Sequence, residues 1–211
     1  MGRVLPVLFN TDMVQAILDG RKGATRRICK DVDEYTVPDM GFYDSARRTY
    51  AVHQYTDKMH KNQVCTAERP CLVCPGDILY VRETWCTGHD GEAYFYRADK
   101  NTERESKLID YDKCRWRPSI HMPKAAARIW LKVTDVRVDR LQDMALGDFL
   151  REGVAIRPEA YNDPDNAYGQ ARDNFIAIWD STLSQQDNGR YGWNANPWVW
   201  VIEFERCGKK E

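Results

Sequence analysis

The run Trp198-Val199-Trp200-Val201-Ile202-Glu203-Phe204 commits this chain to a β-sheet. Aromatic and β-branched side chains dominate it, and they suit a pleated, half-buried surface better than a helix. Other strands are legible at Val4 to Phe9, at Ile78-Leu79-Tyr80-Val81 after the turn Pro75-Gly76-Asp77, at Glu92 to Ala98, and along Ala126 to Val138. Helices stand among them. Asn10, Thr11 and Asp12 offer capping side chains to a helix from about Met13 to Asp19, with Val14, Ile17 and Leu18 on one face and Gly20 as its terminator. Leu141 to Glu152 reads as a helix ended by Gly153, and Asn174 to Ser181 as part of another. Strands and helices in this mixture predict an α+β fold, a mixed sheet or barrel with helices at its flanks or ends.

Residues 31–73 show no lasting periodicity, and a structureless loop of that length is unusual in a compact domain. They are expected to form an insertion within a single domain spanning 1–211, held by its own cysteines or by short strands. The cysteines are Cys65, Cys71 and Cys74, and the last two have the spacing of a minimal zinc knuckle. Cys29, His60 or Cys86 would supply a fourth ligand to a structural zinc ion; the alternative is reduced thiols in a cytosolic loop. Seven cysteines, an odd number, argue against a disulfide framework, and no stretch approaches the ~20 apolar residues of a membrane span. The apolar start, Val4 to Phe9, is too short for a signal segment. A cytoplasmic protein without membrane contact is expected.

The net charge of −1 means that anion binding must come from a local cluster. Arg21-Lys22-Gly23-Ala24-Thr25-Arg26-Arg27 supplies one, read as a basic loop with four cations in seven positions. Arg82, Glu83 and Trp85 follow a strand end, a common place for binding groups. Arg82 and Glu83 either line a cleft or pair with one another, and Trp85 is a candidate stacking ring. Trp198 and Trp200 read as core aromatics before they read as a platform for a base. Asn194 and Asn196, with Tyr191 and Trp193, form a loop before the last strand that either reads a base edge or caps the fold. His121, between Ser119 and Pro123, reads as structural before catalytic.

The helix followed by Gly20-Arg21-Lys22-Gly23-Ala24-Thr25-Arg26-Arg27 resembles the signature of the ASCH family, a helix leading into a Gly-x-Lys-x-x-x-x-Arg loop. Pro75-Gly76-Asp77-Ile78-Leu79-Tyr80-Val81-Arg82-Glu83-Thr84-Trp85 looks like that family's second block. Lys132-Val133-Thr134-Asp135-Val136, Arg151-Glu152-Gly153 and the closing aromatic strand follow in the family's order. The chain is especially similar to the longer ASCH-type proteins of phages and prophages, although residues 31–73 lie outside the matching blocks.

The resemblance implies a PUA-like mixed β-barrel flanked by helices, with a cleft suited to a nucleoside or RNA. One branch of the family hydrolyses the amide of N4-acetylcytidine with a Lys, a Thr and a Glu, and these fall on Lys22, Thr25 and Glu152. Arg21, Arg26, Arg27, Arg82, Glu83, Trp85 and Asn194 would bind substrate. A lysine works as a base when burial or neighbouring cations favour its neutral form, and Arg21, Arg26 and Arg27 are such neighbours. Lys22 would then take a proton from Thr25 or a water, and Glu152 would pass one to the leaving amine, with no cofactor. Two other readings use the same residues: an RNA-binding module without catalysis, and a metal-independent ribonuclease. In the plainest, Lys22 and the arginines are a solvated cluster complementing a helix dipole.

Overall fold

A computed structural model of the chain describes residues 2–30, 32, 35–57, 59, 61–88, 93–99 and 115–209. Along the described residues run β1 (Val4–Leu8), α1 (Thr11–Leu18), β2 (Ala24–Ile28), β3 (Thr36–Asp44), β4 (Thr49–Tyr55), β5 (Gln63–Pro70), β6 (Ile78–Arg82), β7 (Trp85–Thr87) and β8 (Tyr94–Tyr96). They are followed by β9 (Trp130–Arg140), α2 (Leu146–Arg151), α3 (Pro164–Ser181), α4 (Gln185–Tyr191) and β10 (Trp198–Cys207). The fold is mixed α+β. Two compact units alternate along the sequence: Met1–Gly23, Gly76–Val133 and Phe204–Glu211 make one, Ala24–Pro75 and Thr134–Glu203 the other.

In the first unit β1 lies parallel to β6, Val4 facing Ile78 and Leu8 facing Arg82. β6 runs antiparallel to the start of β9, Ile78 opposite Lys132 and Tyr80 opposite Trp130. β1 carries Pro6, which lacks an N–H and suits an edge strand. The expected turn at Pro75-Gly76-Asp77 is present, with Gly76 at φ 86°. Asp77 is buried there and accepts from the Arg3 backbone N–H at 2.7 Å and from Arg3 Nη2 at 3.2 Å. Trp85 pairs with Tyr96 in the short β7–β8 hairpin and packs with Ile78, Met122 and Trp130. The expected strand from Glu92 shortens to Tyr94–Tyr96, because a 3-10 turn takes over at Arg97–Asp99; Glu92 itself lies outside the described residues.

α1 begins where its cap dictates. The Asn10 side chain accepts from the Met13 N–H at 2.9 Å. At the other end the Gly20 N–H bonds the Ile17 carbonyl and the Arg21 N–H bonds the Ala16 carbonyl, the paired bonds of a Schellman motif. This closure needs a left-handed residue, and Gly20 has φ 75°. The next N–H, that of Lys22, also points to the Ala16 carbonyl at 2.9 Å.

In the second unit β2 pairs antiparallel with β10, Ala24 opposite Glu203 and Ile28 opposite Val199. The segment read as a basic loop is thus strand from Ala24 onward. Its run of cations hides a β element with side chains buried on both faces, including Thr25 and Arg26. β3, β4 and β5 form an antiparallel meander, so short strands order much of the described part of the 31–73 segment. Tyr50 on β4 is buried edge-on against Trp200, ring centroids 4.9 Å apart, and its hydroxyl shares a hydrogen bond with the Cys29 thiol.

The helices pack a core of Leu141, Met144, Phe149, Val154, Phe175, Trp179, Val199 and Val201. α2 starts at Leu146 rather than Leu141, because Asp148 accepts from the Ala145 N–H at 3.0 Å and fixes the first turn there. It ends in a second Schellman motif: the Gly153 N–H bonds Leu150 and the Val154 N–H bonds Phe149, with Gly153 at φ 88°. α3 extends back to Pro164, capped by the Asp163 side chain. Two glycines then respond oppositely to alanine. A Cβ meets nothing within 4 Å at either Gly20 or Gly169. Gly20→Ala therefore carries only the left-handed backbone penalty and destabilises by about 1–2 kcal/mol. Gly169→Ala, inside α3, stabilises by about 1 kcal/mol. Urea midpoints of the two variants should move in opposite directions.

Candidate functional site

Lys22 follows the Schellman turn of α1 and is 4% exposed. Its ammonium lies 5.4 Å from the centroid of the Phe9 ring, within cation–π range, and Phe9 in turn packs on Phe204. Arg21, its neighbour in sequence, is exposed and pairs with Asp19 at 3.0 Å. Lys22 belongs to the first unit; Thr25, Arg26, Arg27 and Glu152 belong to the second.

Within the second unit Thr25, Arg26 and Glu152 are all buried. Arg26 donates through Nη1 to Glu152 Oε1 at 3.3 Å and through Nη2 to Asp148 Oδ1 at 3.1 Å. Asp148 and Glu152 stand four residues apart on α2, on the same side of the helix, so one guanidinium spans both. The Arg26 Nε–H is buried with no hydrogen-bond partner among the described residues. Successive strand residues point to opposite faces, which puts Thr25 and Arg27 together and Arg26 opposite. Burial pushes the Arg27 guanidinium below its ordinary pKa, while the Glu152 charge pulls the other way.

The sequence reading missed the continuation of this network. Asp135, Arg137 and Asp139 share one face of β9 by strand alternation. Arg137 donates to Asp139 at 2.8 Å, to Glu203 at 2.6 Å and to Asp148 at 3.4 Å, and Arg151 donates to Glu203 at 2.8 Å. The alternating charges at 135, 137 and 139 were the available signal.

Arg82, Glu83 and Trp85 are close in sequence but separately engaged. Arg82 donates from Nε to the Met122 carbonyl at 2.8 Å and from Nη2 to the Ile120 carbonyl. Glu83, 1% exposed, accepts both arms of Arg128 at 2.9 and 3.0 Å, and Arg128 also bonds Asp99. Burial raises the Glu83 carboxyl above its usual range, with Arg128 opposing. Trp85 is buried, with Arg117 5.0 Å over its ring and Tyr94 edge-on at 5.7 Å; its Nε1–H has no partner among the described residues. His121 is exposed in a 3-10 turn. Asn194 is exposed in the 3-10 turn Trp193–Ala195, while Asn196 has φ 46° and accepts from the Gln142 N–H at 2.8 Å, which makes this segment a turn with structural duties.

Of the zinc candidates, Cys65 is exposed on β5 and donates to Gln54, while Cys71 and Cys74 are buried. Cys74 bonds the Tyr43 hydroxyl, whose pKa is pushed up to about 12, by burial first. Among the described residues no three His, Cys, Asp or Glu side chains are grouped to hold a metal ion; His60 lies outside them. No protein-family pattern, curated protein or solved structure matches the chain.

Burial alone would raise the Glu203 carboxyl, but hydrogen bonds from Arg137 and Arg151 hold it below its ordinary value of 4.5. A depressed carboxyl contributes stability above its unfolded pKa and loses it as pH falls through the folded one. Glu203→Gln should therefore lower stability at neutral pH by about 1–2 kcal/mol. Melting curves from neutral pH down to about pH 3 should show the deficit closing as the wild-type carboxyl protonates.

Proposed function

We propose that this chain is an ASCH-type, PUA-like protein that hydrolyses the N4-acyl amide of a cytidine-type nucleoside, with Lys22, Thr25 and Glu152 as its catalytic set. The observation that carries the reading is burial. Seven polar or charged residues are buried among the described residues: Lys22, Thr25, Arg26, Asp77, Glu83, Asp99 and Glu152. Three of them, at 4%, 1% and 7% exposure, are the catalytic residues that the family resemblance implies, and Arg26 and Glu83 are among the substrate-binding residues it implies. Asp77, Glu83 and Asp99 have evident structural partners in Arg3 and Arg128. Lys22 and Thr25 stand three residues apart, and buried polar side chains at positions that the resemblance singles out are where a functional site is sought. The mixed α+β layout is compatible with the PUA-like barrel that the reading implies.

The chemistry balances without a cofactor. Burial favours the neutral form of an amine, the form a base needs, while the Phe9 ring beside Lys22 favours the charged one. Neutral Lys22 accepts the Thr25 hydroxyl proton as Oγ adds to the acyl carbon, or accepts the proton of an attacking water. When the tetrahedral intermediate collapses, the C–N4 bond breaks and the leaving amine takes the proton back from Lys22; Glu152, to which the resemblance gives this role, pairs with Arg26 on the face of β2 opposite Thr25. If Thr25 was the nucleophile, water cleaves the acyl ester and returns the hydroxyl proton. Arg26 orients the Glu152 carboxylate, and Arg27 favours anionic character nearby.

A second reading is favoured by the Arg26–Glu152–Asp148 geometry itself. Two carboxylates holding one buried guanidinium form a structural network by themselves, and the chain would then bind nucleotides without turning them over. Lys22→Arg separates the two. Guanidinium stays protonated and cannot serve as a base. Hydrolysis of N4-acetylcytidine should fall at least ~100-fold in Lys22→Arg, with little change in affinity. Thr25→Val should abolish turnover if Thr25 is the nucleophile and leave most of it if water is. Full activity in Lys22→Arg would overturn the mechanism.

A further inference from the structure

The β3-β4-β5 meander of the second unit holds a cluster of polar side chains that none of the roles above uses. His53 on β4 stands opposite Thr66 on β5, and Asp39 on β3, opposite Ala51, is its diagonal neighbour, so the three share one face of the sheet. His53 Nε2 lies 3.2 Å from Asp39 Oδ2, and His53 Nδ1 lies 2.9 Å from Thr66 Oγ1. Gln63 Nε2 lies 2.8 Å from the same hydroxyl and 3.2 Å from Nδ1. An odd separation from Thr66 would put Gln63 on the other face of a regular strand. It reaches the cluster because β5 bulges here: Cys65 faces Gln54, Gln63 faces Tyr55, and Val64 is the extra residue between them. Bulges re-aim side chains and are over-represented beside active sites. Hydrogen-bond direction then fixes the ring. The Gln63 amide nitrogen only donates, so it requires a lone pair on Nδ1. Nε2 therefore carries the proton and donates to Asp39, and the Thr66 hydroxyl donates to Nδ1. In that tautomer a histidine is placed to act as base to a hydroxyl.

We propose that Thr66 is a nucleophile for acyl transfer, with His53 as its general base and Asp39 as the residue that positions the ring. Cross-strand polar pairs on a solvated sheet face are ordinary. A hydroxyl, an imidazole and a carboxylate in series, each within hydrogen-bond reach of the next, are also the signature of an activated nucleophile. Thr66 and Gln63 are exposed, so a substrate reaches the hydroxyl directly, while the His53 side chain is only 18% exposed and held in place. Thr66 Oγ adds to the acyl carbon of an ester as its proton passes to His53 Nδ1, and Asp39 stays ionised and stabilises the imidazolium. The intermediate collapses with loss of the alcohol, which takes that proton. Water then attacks the acyl-threonine and gives a proton to Nδ1, and this proton returns to Thr66 Oγ as the carboxylic acid leaves. Gln63 is the amide donor of the cluster beside the forming oxyanion. One such donor in a site open to water suits a reactive acyl donor, an ester or thioester with a good leaving group, and does not suit an unactivated amide. The site shares no residue with the amide hydrolysis proposed above.

Hydrolysis of p-nitrophenyl acetate by the full chain tests this. Thr66→Val should release p-nitrophenolate at least ~100-fold more slowly than the wild type, and His53→Gln should lose as much. Valine keeps the shape of threonine and suits an exposed strand position, so the Thr66→Val fold is retained. Thr66→Ser keeps the hydroxyl and should keep the activity. Asp39→Asn should lower kcat at least ~tenfold with KM unchanged, a split that a purely structural contact does not produce. Thr134→Val, at an exposed threonine of β9, should change nothing. Mass spectrometry of acid-quenched protein should place an acetyl group on Thr66. Peptide fragmentation separates that residue from its neighbour Cys65, an exposed thiol that also takes acyl groups. An acetyl group on Cys65 alone, or a wild-type rate in Thr66→Val or Asp39→Asn, overturns the proposal.

Discussion

Arg26 sets the terms for the second unit. A guanidinium on a strand buried on both faces is expensive to desolvate, several kcal/mol per ion even after relaxation. That cost is tolerable only where carboxylates approach with good geometry, and α2 provides two, Asp148 at 3.1 Å and Glu152 at 3.3 Å. The requirement acts on the helix as much as on the arginine. Asp148 must serve as a partner of Arg26 while also capping the Ala145 N–H. Glu152 must be the last residue before the left-handed Gly153, which turns the chain away without moving the carboxylate off the strand. Strand alternation then sends Arg27 and Thr25 to the other face, so the placement of one buried charge orders the rest of the β2 side chains.

Arg137 carries the same logic outward. It touches Asp148 as well as Glu203, so the carboxylate that holds Arg26 is itself held. Such a chain of charges is easily lost by removing one member, because the remaining partner stays buried and uncompensated. It is also a poor source of net stability, and its return lies in fixing one arrangement of strand and helix.

Three element ends were legible in the sequence, because capping is chemistry within a few residues. Asn10, Gly20 and Gly153 act where their side chains or backbone freedom predict. What escaped the sequence had its reason elsewhere in the chain. The first half of α3 buries only Ala167 and Ala171, too small to mark a helical stripe, before Phe175 and Trp179 make one. β2 looked like a loop because Arg26 and Arg27 look solvated until Glu152 and Asp148 are brought to them. The β3-β4-β5 meander carries polar side chains on its outer strand, and its main aromatic anchor, Tyr50, finds its partner Trp200 some 150 residues away. In the candidate site the identities of Lys22, Thr25 and Glu152 were legible as residue types, whereas the bonds from Arg26 to Asp148 and Glu152 were not, because they join a strand to a helix more than a hundred residues away.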